Sequence, residues 1–253
     1  MSLRNISLVA GLPFNVPPIE DITDQLPRHK KYTWETYPKE RIIRGVNKGG
    51  YFAPGFRPLE GEEVDTIIVH HSGPPAGGTI QGHANYHVNT HGWAGIGYHI
   101  VIDNGRIFQT NDLMSMTFHC GGHNTYTVGI CVNADLSQRE ITSRERELLY
   151  AAILTVKSLL SIKDILGHNQ LNDTLCPATS MEQIRGDIAK LELQMKAAVD
   201  PAKVAHKCYV ATEQHRWLYS QYAADPKGQK YLEPHLLELY EMMKERGLFF
   251  GSE

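Results

Sequence analysis

The sequence predicts a mixed α/β fold: a central β-sheet flanked by helices, with a helical extension at the C-terminal end. Two observations support this prediction. Short apolar runs rich in β-branched residues alternate with longer segments in which apolar residues recur every three to four positions. In addition, the 253-residue chain is 42% hydrophobic, which is enough to bury one sizeable core.

The first predicted strand is the sequence VDTIIVHH at 64–71, whose β-branched run is typical of a buried strand. A hairpin follows, with strands at 98–102 and 106–109. Its turn is Asp103-Asn104-Gly105, because Asn-Gly readily adopts the positive φ angles of a tight hairpin. Further strands are predicted within 128–133 and 165–177.

Helices are predicted at 79–91, after Thr142, and at 182–198. The helix after Thr142 has the strongest signal, because Thr142 and Glu145 have the spacing of a capping box. Apolar residues then recur at helical spacing, namely Leu148, Leu149, Ala152, Ile153, Val156, Leu159 and Leu160.

The two ends of the chain differ from its middle. Residues 1–60 are rich in proline, glycine and charge, which predicts an N-terminal extension that is wrapped over another part of the protein or is partly mobile. Residues 61–200 hold the alternating strands and helices of the main domain. Residues 201–253 are aromatic and charged and predict an accessory helical segment, broken at 225–228.

The charge balance is nearly even, with 25 basic and 28 acidic residues and a net charge of -3. This excludes a strong field that would attract nucleic acid or an anionic membrane. No segment approaches the roughly 20 apolar residues of a membrane-spanning helix. The first residues lack the pattern of a signal peptide, so we expect synthesis in the cytoplasm and free thiols for the four cysteines.

Three residues suggest a metal site: His70 at the end of a predicted strand, and His168 followed eight residues later by Cys176. Imidazole nitrogen and thiolate sulfur are ligands that Zn²⁺ prefers, and three protein ligands leave the open position of a catalytic site. The 13 histidines also allow many such triples by chance, so spacing alone does not decide.

Four motifs occur in order along the chain: IIVHHSG, GWAGIGYHIVIDNGRIFQ, HCGGHNTYTVGI and GHNQLNDTLCP. Together, over residues 64–190, they resemble the zinc-dependent N-acetylmuramoyl-L-alanine amidases, a family that includes short phage lysozyme-type amidases and animal peptidoglycan recognition proteins. The resemblance implies a hydrolase of peptidoglycan. Its reaction would cleave the amide bond between N-acetylmuramic acid and the L-alanine of the stem peptide.

The resemblance implies that His70, His168 and Cys176 hold Zn²⁺. Successive side chains of a strand point to opposite faces, so only one of His70 and His71 can reach a given metal, and we select His70. The remaining cysteines, Cys120, Cys131 and Cys208, are expected to be core or surface residues.

Tyr98 matches the tyrosine of the family's Gly-Tyr motif, which implies that its phenol stabilises the oxyanion of the reaction. Thr174 stands where phage members often carry lysine. A hydroxyl there can still donate a hydrogen bond, although it brings no charge.

The resemblance also places three residues in the substrate groove. His119 would line it near the metal, Asn124 would organise its loop, and Trp93 would pack beside it or contact a sugar. Three further histidines share one predicted helix face, which we interpret as a solvated or groove-lining face rather than a metal site: His83, His87 and His91.

These features predict a peptidoglycan amidase that acts on the bacterial cell wall, and the missing signal pattern favours a phage or prophage endolysin. The alternative is a non-catalytic peptidoglycan-binding module. Such modules typically lack the cysteine ligand, so Cys176 favours the enzyme. In this reading, 61–200 is the zinc amidase domain, and 201–253 serves wall targeting or self-association, or caps the domain.

Overall fold

The computed structural model describes residues 2–37, 64–73 and 78–198. The chain divides into two compact units, Met1–Leu193 and Gln194–Glu253, and the sheet lies in the first. The strands are β1 Ile19–Asp21, β2 Thr66–His71, β3 Ile100–Asp103, β4 Arg106–Gln109, β5 Thr127–Val132 and β6 Asp164–Gly167. The helices are α1 Ile80–Asn89, α2 Ser143–Leu159 and α3 Met181–Ala198.

The six strands form one mixed sheet in the order β1-β4-β3-β5-β2-β6, which confirms the predicted α/β fold. Only the β3–β4 hairpin is antiparallel, while the other neighbouring strands run parallel. The carboxyl ends of β2 and β6 therefore meet at one sheet edge. Because Val69 pairs with Gly167, the next residues, His70 and His168, emerge side by side.

The local sequence signals for the hairpin and for α2 are confirmed. Asn104 and Gly105 have φ angles of 47° and 74°, as the Asn-Gly turn requires. Thr142 and Glu145 form both hydrogen bonds of the capping box at the start of α2. The predicted apolar stripe of α2 is buried up to Val156, but Leu159 is 42% exposed because the helix ends there.

The N-terminal residues 2–37 contain an element that their composition does not predict. The three-residue strand β1 pairs in parallel with β4 at the edge of the sheet. Asp21, at its end, accepts two hydrogen bonds from the guanidinium of Arg4. A strand this short carries no periodic signal, and its place is decided by contacts with distant residues.

The C-terminal prediction at 201–253 and Cys208 lie outside the described residues, as do positions 38–60 of the predicted extension. Among the helices that are described, none is long and apolar enough to cross a membrane.

Candidate metal centre

Three side chains converge at the sheet edge where β2 and β6 end. The ligand atoms of His70, His168 and Cys176 all lie within 4.8 Å of one another. His70 is the penultimate residue of β2, and His168 directly follows β6. Cys176 comes from the loop before α3. In the described part of the chain, this is the one group of side chains found with the convergence that a metal ion needs.

The donor set and its spacing fit Zn²⁺. Nδ1 of His70 lies 3.6 Å from Sγ of Cys176. Zinc bonds of about 2.0 Å to nitrogen and 2.3 Å to sulfur at a tetrahedral angle put two such ligand atoms about 3.5 Å apart, close to the observed distance. The His70 and His168 rings are also close, with centroids 4.7 Å apart. The residues present can therefore hold zinc and leave one position open.

Burial favours the uncharged form of all three ligands. It lowers the pKa of His70 well below its usual value, with neighbouring histidines adding to the effect. It also lowers the pKa of His168, against an opposing hydrogen bond with Asn172. Burial raises the pKa of Cys176 to about 11, opposed by the backbone N–H of His71. The imidazoles are thus in the form that binds metal, while the thiol has to release a proton.

His71 has different surroundings from its neighbour. Its Nδ1 accepts the N–H of Leu136 at 3.0 Å and lies 4.0 Å from a carboxylate oxygen of Asp135. Only its backbone takes part in the centre, where the N–H donates to Sγ of Cys176 at 3.4 Å.

His119 is buried next to His70. It is only 7% exposed, and its Nδ1 is 3.0 Å from Nε2 of His70. Its other nitrogen, Nε2, lies 3.1 Å from Oγ1 of Thr127. Thr127 could not be predicted from the sequence, because a lone threonine in a strand gives no signal for such a role.

Asn124 organises the loop that carries His119. Its Oδ1 accepts the backbone N–H groups of His119 at 3.0 Å and of Cys120 at 2.8 Å. The amide oxygen of Asn124 is therefore already engaged within the protein.

Asn172 lies next to the second histidine ligand, and no pattern in the sequence marks it. Its backbone N–H donates to the carbonyl of His168 at 3.0 Å, and hydrogen bonding by its side chain acts to raise the pKa of His168. Its Oδ1 accepts the thiol of Cys120 at 2.9 Å, and its Nδ2 donates to the carbonyl of Gly121 at 3.1 Å. Each histidine ligand thus has a polar residue next to it, and such neighbours orient metal ligands in proteins.

Tyr98 lies beside the centre, with its ring centroid 5.4 Å from that of His70. Burial raises the pKa of its phenol well above the usual value, and nearby Cys131 and Cys176 add to the effect. The phenol therefore stays protonated and can donate a hydrogen bond. Thr174 is half-buried in the neighbouring loop, where its Oγ1 accepts the N–H of Cys176 at 3.2 Å.

An aromatic surface adjoins Tyr98. The Trp93 ring stacks with His91 at 4.9 Å between centroids and lies 4.8 Å from the His87 ring. Nδ1 of His87 accepts the N–H of Gly97 at 3.2 Å. Burial, with smaller effects from neighbouring histidines, lowers the pKa of His87 to about 4. Of the three histidines, His87 in α1 and His91 just after its end thus pack against Trp93, whereas His83 lies 2.8 Å from Oδ1 of Asn133.

Comparison with known proteins agrees with this geometry. Residues 60–179 match the family model described as N-acetylmuramoyl-L-alanine amidase. Peptidoglycan-recognition protein SC1a of Drosophila melanogaster is 29% identical over 140 residues, which cover 50% of this chain and 75% of that protein.

Solved structures share the fold. The endolysine N-acetylmuramoyl-L-alanine amidase LysCS from Clostridium intestinale URNW has a TM-score of 0.51 at 21% identity, covering 69% of this chain and 97% of that chain. The amidase LysC from Clostridium intestinale URNW gives the same TM-score at 22% identity, covering 69% and 99% of the two chains. By sequence, residues 60–179 form a domain of the N-acetylmuramoyl-L-alanine amidase family.

Proposed function

We propose that this protein is a zinc-dependent N-acetylmuramoyl-L-alanine amidase that hydrolyses the bond between N-acetylmuramic acid and the L-alanine of the stem peptide. The observation that carries the proposal is the convergence of His70, His168 and Cys176 within a domain of the amidase family. The cysteine favours catalysis over binding alone, because it completes a set of three ligands with one open position.

Zinc held by these residues would supply Lewis-acid chemistry, polarising the amide carbonyl and making water a stronger nucleophile. The reaction adds water across the amide: a carbon–oxygen bond forms, the carbon–nitrogen bond breaks, and the released amine takes up a proton. We expect Tyr98 to donate a hydrogen bond to the oxygen that gains charge, because burial raises the pKa of its phenol and its ring centroid lies 5.4 Å from that of His70.

Thr174 has a smaller proposed role. Its hydroxyl oxygen accepts the Cys176 N–H, which leaves the hydroxyl proton available for a second hydrogen bond. We propose that this proton assists Tyr98 at the oxyanion. Trp93 and His91 would form the wall against which a sugar ring packs, because their stacked rings adjoin Tyr98 through His87.

Zinc analysis combined with wall hydrolysis tests the proposal. Purified protein should contain about one zinc per chain and should release free amino termini of alanine from purified peptidoglycan. The Cys176→Ala variant should lose both properties, because two histidines are too few for the usual catalytic site. Cys208→Ala, which changes another thiol, is the control and should retain both.

The outcomes separate the enzyme from the binding module. If the parent protein binds insoluble peptidoglycan but releases no amino termini at any zinc concentration, it is a binding module and not an amidase. If Cys176→Ala cleaves walls as well as the parent protein, the metal assignment is wrong.

We further propose that the protein acts on bacterial walls as an endolysin, which the resemblance of its motifs to phage amidases supports. Protein added to bacteria whose membranes have been permeabilised should then lower the turbidity of the suspension, and Cys176→Ala should not. Purified walls that are cleaved while permeabilised cells stay intact would contradict this role.

A further inference from the structure

The two nitrogens of His70 face different partners. Nδ1 faces Sγ of Cys176 at 3.6 Å, in the candidate metal centre. Nε2 faces Nδ1 of His119 at 3.0 Å, away from the centre. A neutral imidazole carries one proton, so the nitrogen that bears it decides whether the other can bind a metal.

His70, His119 and Thr127 form a series of hydrogen bonds, and Thr127 at its end fixes which atom donates in each. Its hydroxyl has a single proton and lies 2.6 Å from the carbonyl oxygen of His123, which can only accept. The Thr127 oxygen is therefore the acceptor for Nε2 of His119, at 3.1 Å. With its proton on Nε2, a neutral His119 presents Nδ1 as an acceptor, and Nε2–H of His70 is the matching donor.

The surroundings hold this arrangement in place. His70 is 1% exposed and Thr127 is fully buried, so water does not compete for the hydrogen bonds. Gly129 leaves the space that the His119 ring fills, since a Cβ at this position would lie 2.8 Å from Nδ1 of His119. The backbone N–H of His119 is fixed separately by Asn124, at 3.0 Å.

We infer that His119 and Thr127 form a positioning relay that holds His70 in its Nε2–H tautomer and directs the Nδ1 lone pair at the metal position. The inference rests on the proposed function, because the relay matters only if zinc binds His70. It assigns His119 a role behind the metal ligand instead of in contact with substrate. Without the relay, part of the protein would carry the His70 proton on Nδ1. Zinc would then have to displace that proton before it could bind this nitrogen.

Zinc affinity, measured by competition with a chromogenic chelator, tests the relay without relying on activity. His119→Leu removes the acceptor, and Thr127→Val removes the hydroxyl with little change in shape. Each should weaken zinc binding on the order of 10- to 100-fold, as loss of such outer partners does at other metal sites. His119→Asn, which can place an oxygen near the position of Nδ1, and Thr127→Ser should recover most of the affinity. If His119 and Thr127 served only packing, the two variants at each position would bind zinc with similar affinity.

The tautomer itself can be read by long-range ¹H–¹⁵N correlation spectra of the zinc-free protein. His70 should show a protonated Nε2 and an unprotonated Nδ1 in the parent protein, and this preference should weaken in Thr127→Val. If the parent binds zinc but His70 carries its proton on Nδ1, or if both removal variants bind zinc like the parent, the relay is refuted and the amidase proposal stands. If the parent binds no zinc at all, both proposals fail.

Discussion

Strand β5 carries Gly129 at the point where the His119 ring crosses it, and a Cβ on Gly129 would lie 2.7 Å from Cγ of His119. Real Cβ atoms do not approach a neighbour so closely, so the ring can occupy its place behind His70 only because residue 129 has no side chain. Gly129, which has no side chain, thus provides the space for the His119 ring beside the metal centre.

Gly129→Ala should displace the His119 ring and destabilise the protein by about 1–3 kcal/mol, the usual cost of overpacking a core. Urea unfolding measures the change. Gly186→Ala is the matched control, because its Cβ would meet nothing within 4 Å. Since Gly186 lies within helix α3, that variant should gain up to about 1 kcal/mol. Equal stabilities of the two variants would show that the ring can move at no cost.

Tyr98→Phe should slow peptidoglycan hydrolysis on the order of 10²-fold or more, because one donor to the oxyanion is lost. The ring remains, so fold and zinc content should match those of the parent. Release of amino termini from walls and elemental analysis measure the two effects. Tyr86→Phe serves as the control, since Tyr86 is 55% exposed. Unchanged turnover in Tyr98→Phe would show that the Tyr98 hydroxyl takes no part in hydrolysis and that the residue only packs.

Trp34→Phe should destabilise the protein by about 1–3 kcal/mol, the cost of leaving a buried polar atom unpaired. Nε1 of Trp34 donates to Oδ1 of Asn111 at 2.8 Å, and the Asn111 amide donates to the carbonyls of Ile96 and Tyr98. The N-terminal segment is therefore linked to the backbone at Tyr98. Amide hydrogen exchange should show faster opening at 96–99 in the variant, and unaltered exchange there would contradict the link.

Asp21 should stabilise the fold at neutral pH and lose this effect in acid. Burial alone raises the pKa of Asp21, but hydrogen bonds led by Arg4 outweigh it and lower the pKa from 3.8 to about 2. Because the folded pKa lies below the unfolded one, the stabilisation is present above 3.8 and is lost as the pH falls towards 2. Unfolding free energies across this range should show the loss.

Asp21→Asn should remove that part of the pH dependence and weaken the protein at neutral pH by about 1–3 kcal/mol, because hydrogen bonds to a charged group are lost. Asp24→Asn is the control, since the Asp24 side chain is 78% exposed and its change should cost less than about 0.5 kcal/mol. If the two variants lose the same stability at each pH, the burial of Asp21 has no energetic consequence.

Local patterns in the sequence were sufficient for the fold class, for most element positions and for the candidate ligands. The β-branched run of β2 indicates a buried strand that ends in histidine, and the capping box marks the start of α2. Such signals are readable because they depend on residues a few positions apart. The candidate ligands came from residue type together with the resemblance of four ordered motifs to a known amidase family, because spacing alone did not decide among the 13 histidines.

The tertiary structure alone decided how the metal centre is supported. His70 and Cys176 are 106 positions apart, and only the parallel pairing of β2 with β6 brings His168 to the same edge. Strand β1 and the buried Trp34 likewise depend on partners far along the chain.

Thr127 and Gly129 show the physical reason for this limit. One contributes a hydroxyl oxygen to His119, and the other contributes empty space for its ring. Neither contribution follows from residue type, because hydrogen bonding and steric fit depend on the positions of atoms in three dimensions. The sequence by itself determined which side chains can bind a metal, and the fold determined which atom of each faces it.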